Sequence, residues 1–414
     1  LRKCIFGCSK LVNFSKIFKD GFQEHKEPFI SIYFPLLLIG TVTYSSFLIL
    51  PLAVLDAGGS TSQAAAVLGL KGFGMMLFDI PAGFLVSRIG SKMAMSVASF
   101  LLFSLFILYS FADSPFVFLS LALVHGFISA LFLVGRMLYI SDKYNFDLRG
   151  RVIAMLAGGL RLTALIGPII GGIFAQAIGF EKTFLIGSLF LLVAFYIVST
   201  KISDDKNRVK ANFYTSYVRV AVDNSKVFLT AGLASVIFML MRAARIVLIP
   251  LVGDHIGLSV TSIGFIVSLS AAIDLVLFYP AGVIMGRFGR RAGAIPSSLL
   301  FVFGLISLAF ADTYFLLCLA AIVLGIANGL STGITMMLGT DNAPSNNKGE
   351  FLGIWRLLTD GGSSLGPILA SLSLALFPFN AGILIVGIAC GFGAIFVFFG
   401  VEKNTDTERI TDNV

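Results

Sequence analysis

The chain alternates long apolar runs with short polar breaks along almost its whole length. The apolar runs fall at 29–54, 60–87, 93–112, 115–140, 151–178, 181–199, 227–252, 260–286, 292–311, 314–338, 350–377 and 380–400. Each meets or approaches the ~20 residues that a helix rising 1.5 Å per residue needs to cross ~30 Å of hydrocarbon. Helices are required because lipid cannot satisfy bare backbone amides, and the alternating pattern of a barrel strand is absent. The expected fold is an all-α membrane protein of twelve transmembrane helices. The pattern divides it into a basic N-terminal segment (1–28), a first six-helix bundle (29–199), a linker (200–226), a second bundle (227–400) and a tail (401–414).

Composition agrees: 57% of the 414 residues are hydrophobic and 13% charged, about half the charge of a soluble domain. The formal net charge is +8. Its basic residues are scattered through short inter-helix segments, which argues for topology rather than nucleic-acid binding. With the N-terminus inside, the inner segments hold every inter-span Lys and Arg except Lys182. Both termini are therefore expected in the cytoplasm, in an inner or plasma membrane. Cys4, Cys8, Cys318 and Cys390 lack metal or disulfide spacing, and no cofactor or metal is expected.

One offset of 199 residues relates the halves. Pro51 matches Pro250, Pro81-Ala82-Gly83 matches Pro280-Ala281-Gly282, and Phe111-Ala112-Asp113 matches Phe310-Ala311-Asp312. Gly126 matches Gly325, Asp142 matches Asp341, and Gly167-Pro168 matches Gly366-Pro367. Six helices return the chain to its starting side, so the repeats are parallel, related by a pseudo-two-fold axis along the membrane normal.

The loop after the second helix runs from Gly83 through Ser87, Arg88 and Gly90 to Lys92; its copy runs from Gly282 through Gly286, Arg287 and Gly289 to Arg291. This duplicated loop resembles the G-x-x-x-D-R-x-G-R-R signature of the major facilitator superfamily, with Ser87 and Gly286 where the family has Asp. The fifth helix, with Gly158-Gly159 and Gly167-Pro168-Ile-Ile-Gly171-Gly172, resembles the glycine-rich antiporter motif of that family. The resemblance implies two rocking bundles around a central cavity lined by the first, fourth, seventh and tenth helices. Where the exporter pattern has an Arg in the fourth helix, Ala122 stands here, with His125 nearby.

Arg88 with Asp142, and Arg287 with Asp341, are expected to form a cytoplasmic gate. Ionisable residues deep in a membrane are functional candidates. Lys71, Arg161, Arg242, Arg245, Asp274 and Asp360 are the deep set; Arg136, Arg356 and Asp79 lie nearer the helix ends, where they can snorkel. Arg242 and Arg245, three apart, share a helix face and, with Tyr44, Ser129, Asn328 and Thr335, are the expected substrate contacts. Asp274 and Asp360 are the candidate proton carriers, with Arg161, Lys71 and His125 as accompanying intramembrane charges, and Arg161 is expected to face Asp360 (161 and 360 are equivalent). Four deep cations against two acids favour an anionic or zwitterionic solute. No HExxH, GxSxG or nucleotide-binding loop occurs, so an enzyme is not expected. The expectation is a monomeric secondary transporter of a small organic solute, with the proton as coupling ion and lipid as surroundings. Export is the leading direction, and uptake or exchange of an organic anion held by Arg242 and Arg245 is the alternative.

Overall fold

The computed structural model describes residues 32–144, 146–202, 214–344 and 347–401; segment 1–28 and the tail beyond Val401, with Cys4 and Cys8, lie outside them. The first half consists of α1 (Phe34–Asp56), α2 (Thr61–Ile89), α3 (Ser91–Ser110), α4 (Pro115–Lys143), α5 (146–178) and α6 (180–201). A helix α7 (Tyr214–Asp223) follows in the linker. The second half consists of α8 (Ser225–His255), α9 (Val260–Phe288), α10 (Arg290–Leu308), α11 (Tyr314–Asp341), α12 (Lys348–Leu376) and α13 (Phe379–Gly400). Among the described residues there is no β-strand.

Ten helical stretches are long and apolar enough to cross a membrane. One of them, 150–201, is two crossings that meet at Gly179, whose φ of 83° breaks the helix. The twelfth crossing, α12, has 29 residues and carries Arg356 and Asp360 within it. The outer surface is apolar: Leu189, Tyr196, Phe392 and Phe399 are 60%, 66%, 65% and 72% exposed, as lipid-facing side chains are.

The repeat in the sequence is a repeat in the packing. α4 crosses α2 where a Cβ on Gly126 would strike the Lys71 carbonyl, and α11 crosses α9 where one on Gly325 would strike the Ser270 carbonyl. α5 meets α1 at Gly167 against the Thr41 carbonyl, and α12 meets α8 at Gly366 against the Leu240 carbonyl. Each pair is related by the same 199-residue shift. Between helices in lipid, close van der Waals approach replaces the hydrophobic drive, so small residues stand at these crossings. The tight loops repeat as well: Gly90 and Gly289 have φ of 88° and 83° with ψ of 156° and 168°, a region essentially reserved for glycine.

The halves meet along two seams. On one, α2 faces α12, with Gly69 against Ile368, Gly72 against Ser364, and the Ser62 and Ser371 hydroxyls 3.1 Å apart. On the other, α5 faces α9. There Gly172 lies against Val260, Thr261 Oγ1 donates to the Gly172 carbonyl (3.2 Å), and the Val260 amide donates to Gln176 Oε1 (3.0 Å). These contacts gather at the end opposite the α2–α3 and α9–α10 loops. At that end the last turns of α1 and α8, Leu50–Val54 and Leu248–Val252, are wholly buried.

One span departs from the continuous helix expected at 314–338. α11 breaks after Leu330 and resumes at Ile334, with Gly333 at φ 81°. The sequence Gly329-Leu-Ser-Thr-Gly333 explains it. Ser331 Oγ and Thr332 Oγ1 both turn back to the Asn328 carbonyl (3.0 and 3.1 Å), competing with the helical ladder, and flanking glycines tolerate the turn.

Candidate functional site

A cavity of about 470 Å³ lies between the halves, lined by residues of both. This is within the size range of small-molecule sites. Tyr44, Lys71 and Arg161 come from the first half; Arg242, Arg245, Asp274, Asn328 and Asp360 come from the second.

Local chemistry positions each charge. At the break in α11 the Ser331 carbonyl accepts from the Ile334 amide (3.1 Å), and Arg242 Nη2 donates to the same oxygen and to Ser331 Oγ (2.8 Å). Arg245 Nη1 donates to Ser270 Oγ at 3.1 Å and lies 3.4 Å from the Leu324 carbonyl. Asp274 Oδ1 lies 3.1 Å from Thr332 Oγ1 and shares that hydroxyl's one proton with the Asn328 carbonyl. Lys71, 6% exposed, reaches Ser46 Oγ at 3.5 Å and lies 4.4 Å over the Phe47 ring.

Several expected partnerships resolve differently. Asp360 does not pair with Arg161; it accepts from Arg356 Nε at 3.3 Å, one helical turn away on its own helix. Arg161 stacks on Phe278 of α9, 3.8 Å from the ring centroid, and donates to the Ala157 carbonyl at 3.1 Å. Equivalent positions lie on opposite seams, which is why the pair does not form: the two-fold axis that relates 161 to 360 exchanges α5 with α12 and α2 with α9, while α5 packs against α9 and α12 packs against α2. Arg356, expected to snorkel, instead reaches across the first seam to Asp79 at 2.9 Å. A triad Asp79–Arg356–Asp360 results, one cation between two carboxylates.

The expected gate also changes partner in the second half. Asp341 pairs with Arg290 at 3.0 Å rather than Arg287, because Arg290 opens α10, which packs beside α11. The Arg88 guanidinium stacks on the Phe84 ring at 4.0 Å rather than pairing with Asp142.

Ser129 and Thr335 do not line the cavity. Thr335 offers its carbonyl to Trp355 Nε1 at 2.9 Å. His125, 1% exposed, lies outside the cavity among aromatic rings, edge-on to Phe106 and tilted against Tyr109. Sequence reasoning missed Ser46 and Ser270, hydroxyls that hold charged groups of the cavity wall. The signal was present: 46 and 71 are separated by the same 25 residues as 245 and 270.

The family model of the Major Facilitator Superfamily matches residues 32–224 and 231–412. An uncharacterized MFS-type transporter, MJ1560 of Methanocaldococcus jannaschii, is 20% identical over 85% of this chain and 91% of its own length. The multidrug resistance protein MdtG of Serratia proteamaculans is 22% identical over 79% of this chain and 81% of its own. Among solved structures, a POT family transporter in complex with 5-aminolevulinic acid superposes with a TM-score of 0.74 at 12% identity, covering 89% of this chain and 94% of that one. An inward-facing bacterial homolog of the human lysosomal transporter Spinster gives 0.73 at 12% identity, covering 92% and 97%. With its family's pattern spanning both halves and its helices folded in the same way, the chain belongs to the Major Facilitator Superfamily and is an integral membrane transporter rather than an enzyme.

Proposed function

We propose that the chain is a proton-coupled exporter that moves a small organic solute by alternating access of the cavity between its halves. The observation that carries the reading is the charged cavity itself: both halves line it, and its wall holds Lys71, Arg161, Arg242 and Arg245 with the carboxylates Asp274 and Asp360. Rocking of two bundles about such a site exposes it to each side in turn. The likeness to MdtG, a multidrug resistance protein, supports export.

Asp274 is the proposed proton carrier, since it faces the cavity and, among the described residues, is hydrogen-bonded by a threonine hydroxyl rather than ion-paired. Asp360, held by Arg356, is the poorer candidate. The basic loops support a topology with both termini in the cytoplasm, in an inner or plasma membrane, and the protein works as a monomer with the proton as its coupling ion.

The second reading is uptake or exchange of an organic anion, favoured by the cation excess of the wall. Proteoliposomes with an imposed pH gradient test both. Organic anions and lipophilic cations are offered side by side, with Arg242→Ala as control. Uptake driven by the gradient and lost in the control supports the first reading; movement of anions by exchange alone, indifferent to the gradient, favours the second.

A further inference from the structure

The cavity wall carries one charged arrangement twice, with its parts exchanged. In the first half a cation on α2, Lys71, reaches a serine on α1, Ser46. In the second half a cation on α8, Arg245, reaches a serine on α9, Ser270. The 199-residue shift takes Ser46 to Arg245 and Lys71 to Ser270. The same two positions therefore hold one cation and one hydroxyl in both halves, and only the helix bearing the cation differs. Through the pseudo-two-fold axis the arrangement puts one positive head group on each wall.

Neither cation has a carboxylate partner. Neither takes part in the ion pairs Arg219–Asp223, Arg290–Asp341 or Arg356 with Asp79 and Asp360. A serine dipole does not neutralise a charge in a low-dielectric wall; an unpartnered buried cation is strongly unfavourable. Arg161 and Arg242 stand in the same wall, and among the described residues neither is ion-paired. The acids redress the balance only in part: Asp274 keeps its one negative charge beside a threonine hydroxyl, and Arg356 between Asp79 and Asp360 leaves one more, so two of the four wall cations stay uncompensated.

We propose that the solute is a small dianion, a dicarboxylate or a phosphate monoester, whose negative charge is met by Lys71 from one half and Arg245 from the other. Ser46 and Ser270 hold the two head groups toward it. This rests on the reading of the chain as a solute transporter with this cavity as its site. A ligand bound from both sides draws the halves together about itself, which is what alternating access requires of its cargo.

The test uses the full chain, purified in detergent and in proteoliposomes. Glutarate, its monomethyl ester and its dimethyl ester vary the charge from two to none at similar size. Glycerol phosphate is the second dianion, and tetraphenylphosphonium the opposing cation. Ligand-induced thermal stabilisation and counterflow are read for each. At least one dianion should stabilise and exchange, and the dimethyl ester should not. Lys71→Gln and Arg245→Gln should each weaken dianion binding by about tenfold or more, as loss of a charged hydrogen bond implies. Lys71→Arg should retain binding. The transposed variant Ser46→Lys with Lys71→Ser, which gives the first half the arrangement of the second, should also retain it; elution as a single folded species is the control.

Binding of the phosphonium ion or the neutral ester without any dianion overturns the assignment, as does unaltered dianion binding in both Gln variants. If counterflow of the phosphonium ion persists, the transporter reading stands while the substrate class falls. If no probe binds or exchanges, both fall.

Discussion

Arg356 on α12 donates to Asp79 on α2 at 2.9 Å, across the seam between the two halves, while its Nε holds Asp360 at 3.3 Å. Both carboxylates are largely buried, with side chains 8% and 17% exposed. Removing the one cation leaves two desolvated acids facing each other. Arg356→Met should therefore lower the stability of the purified protein by about 3 kcal/mol or more, read as a fall in unfolding temperature in detergent. Asp79→Asn keeps an Arg–Asp pair and should cost distinctly less. Equal stability of Arg356→Met and the parent would remove the triad from any structural role.

At the end of the second half that carries the α9–α10 loop, Arg290 pairs with Asp341. Their side chains are 25% and 47% exposed, so the pair contributes at most about 1 kcal/mol. A double-mutant cycle should find coupling between positions 290 and 341 and none between 287 and 341. Coupling at 287 instead would show that the working cycle uses the partner that the repeat alone suggests.

Gly126 and Gly325 should refuse any side chain. A Cβ at either position runs into the backbone of the neighbouring helix, at Lys71 and Ser270. Val at either site should abolish folded, monodisperse protein, since a crossing helix in a packed interface has nowhere to shift without strain. Gly158, where a Cβ meets nothing within 4 Å, is the contrast. Gly158→Ala should be neutral or raise stability by up to about 1 kcal/mol, the gap in helix propensity between the two residues.

Asp274→Asn preserves the hydrogen bond to Thr332 but removes the charge. Movement driven by a pH gradient should be lost in this variant while solute exchange continues. Unchanged proton coupling would take Asp274 out of the role proposed for it.

Arg161 on Phe278 is the counterpart, on the second seam, of the triad on the first, because 79 and 278 are equivalent positions, as are 161 and 360. Phe278→Leu removes the ring beneath the guanidinium and should cost about 1–2 kcal/mol, as a desolvated cation–π contact implies. An unfolding temperature equal to that of the parent would show that the stack carries no stability.

The sequence by itself determined the number of crossings, their division into two related halves and the inventory of membrane-embedded charge. These follow from local quantities: the length of an apolar run, a constant offset between matching residues, the positions of Lys and Arg. It also determined the close helix crossings, since Gly126, Gly167 and their copies stand out as repeated small residues.

Only the tertiary structure decided which charges meet. The offset that relates Arg161 to Asp360 invites pairing them, yet a two-fold axis places equivalent residues on opposite seams, so each finds a partner from a non-equivalent position. The break in α11 was likewise hidden in an apolar run, because hydropathy does not register that Ser331 and Thr332 turn back on the helix and hand a carbonyl to Arg242. Charge content is a property of residues taken singly, whereas partnership depends on which helices the fold sets side by side.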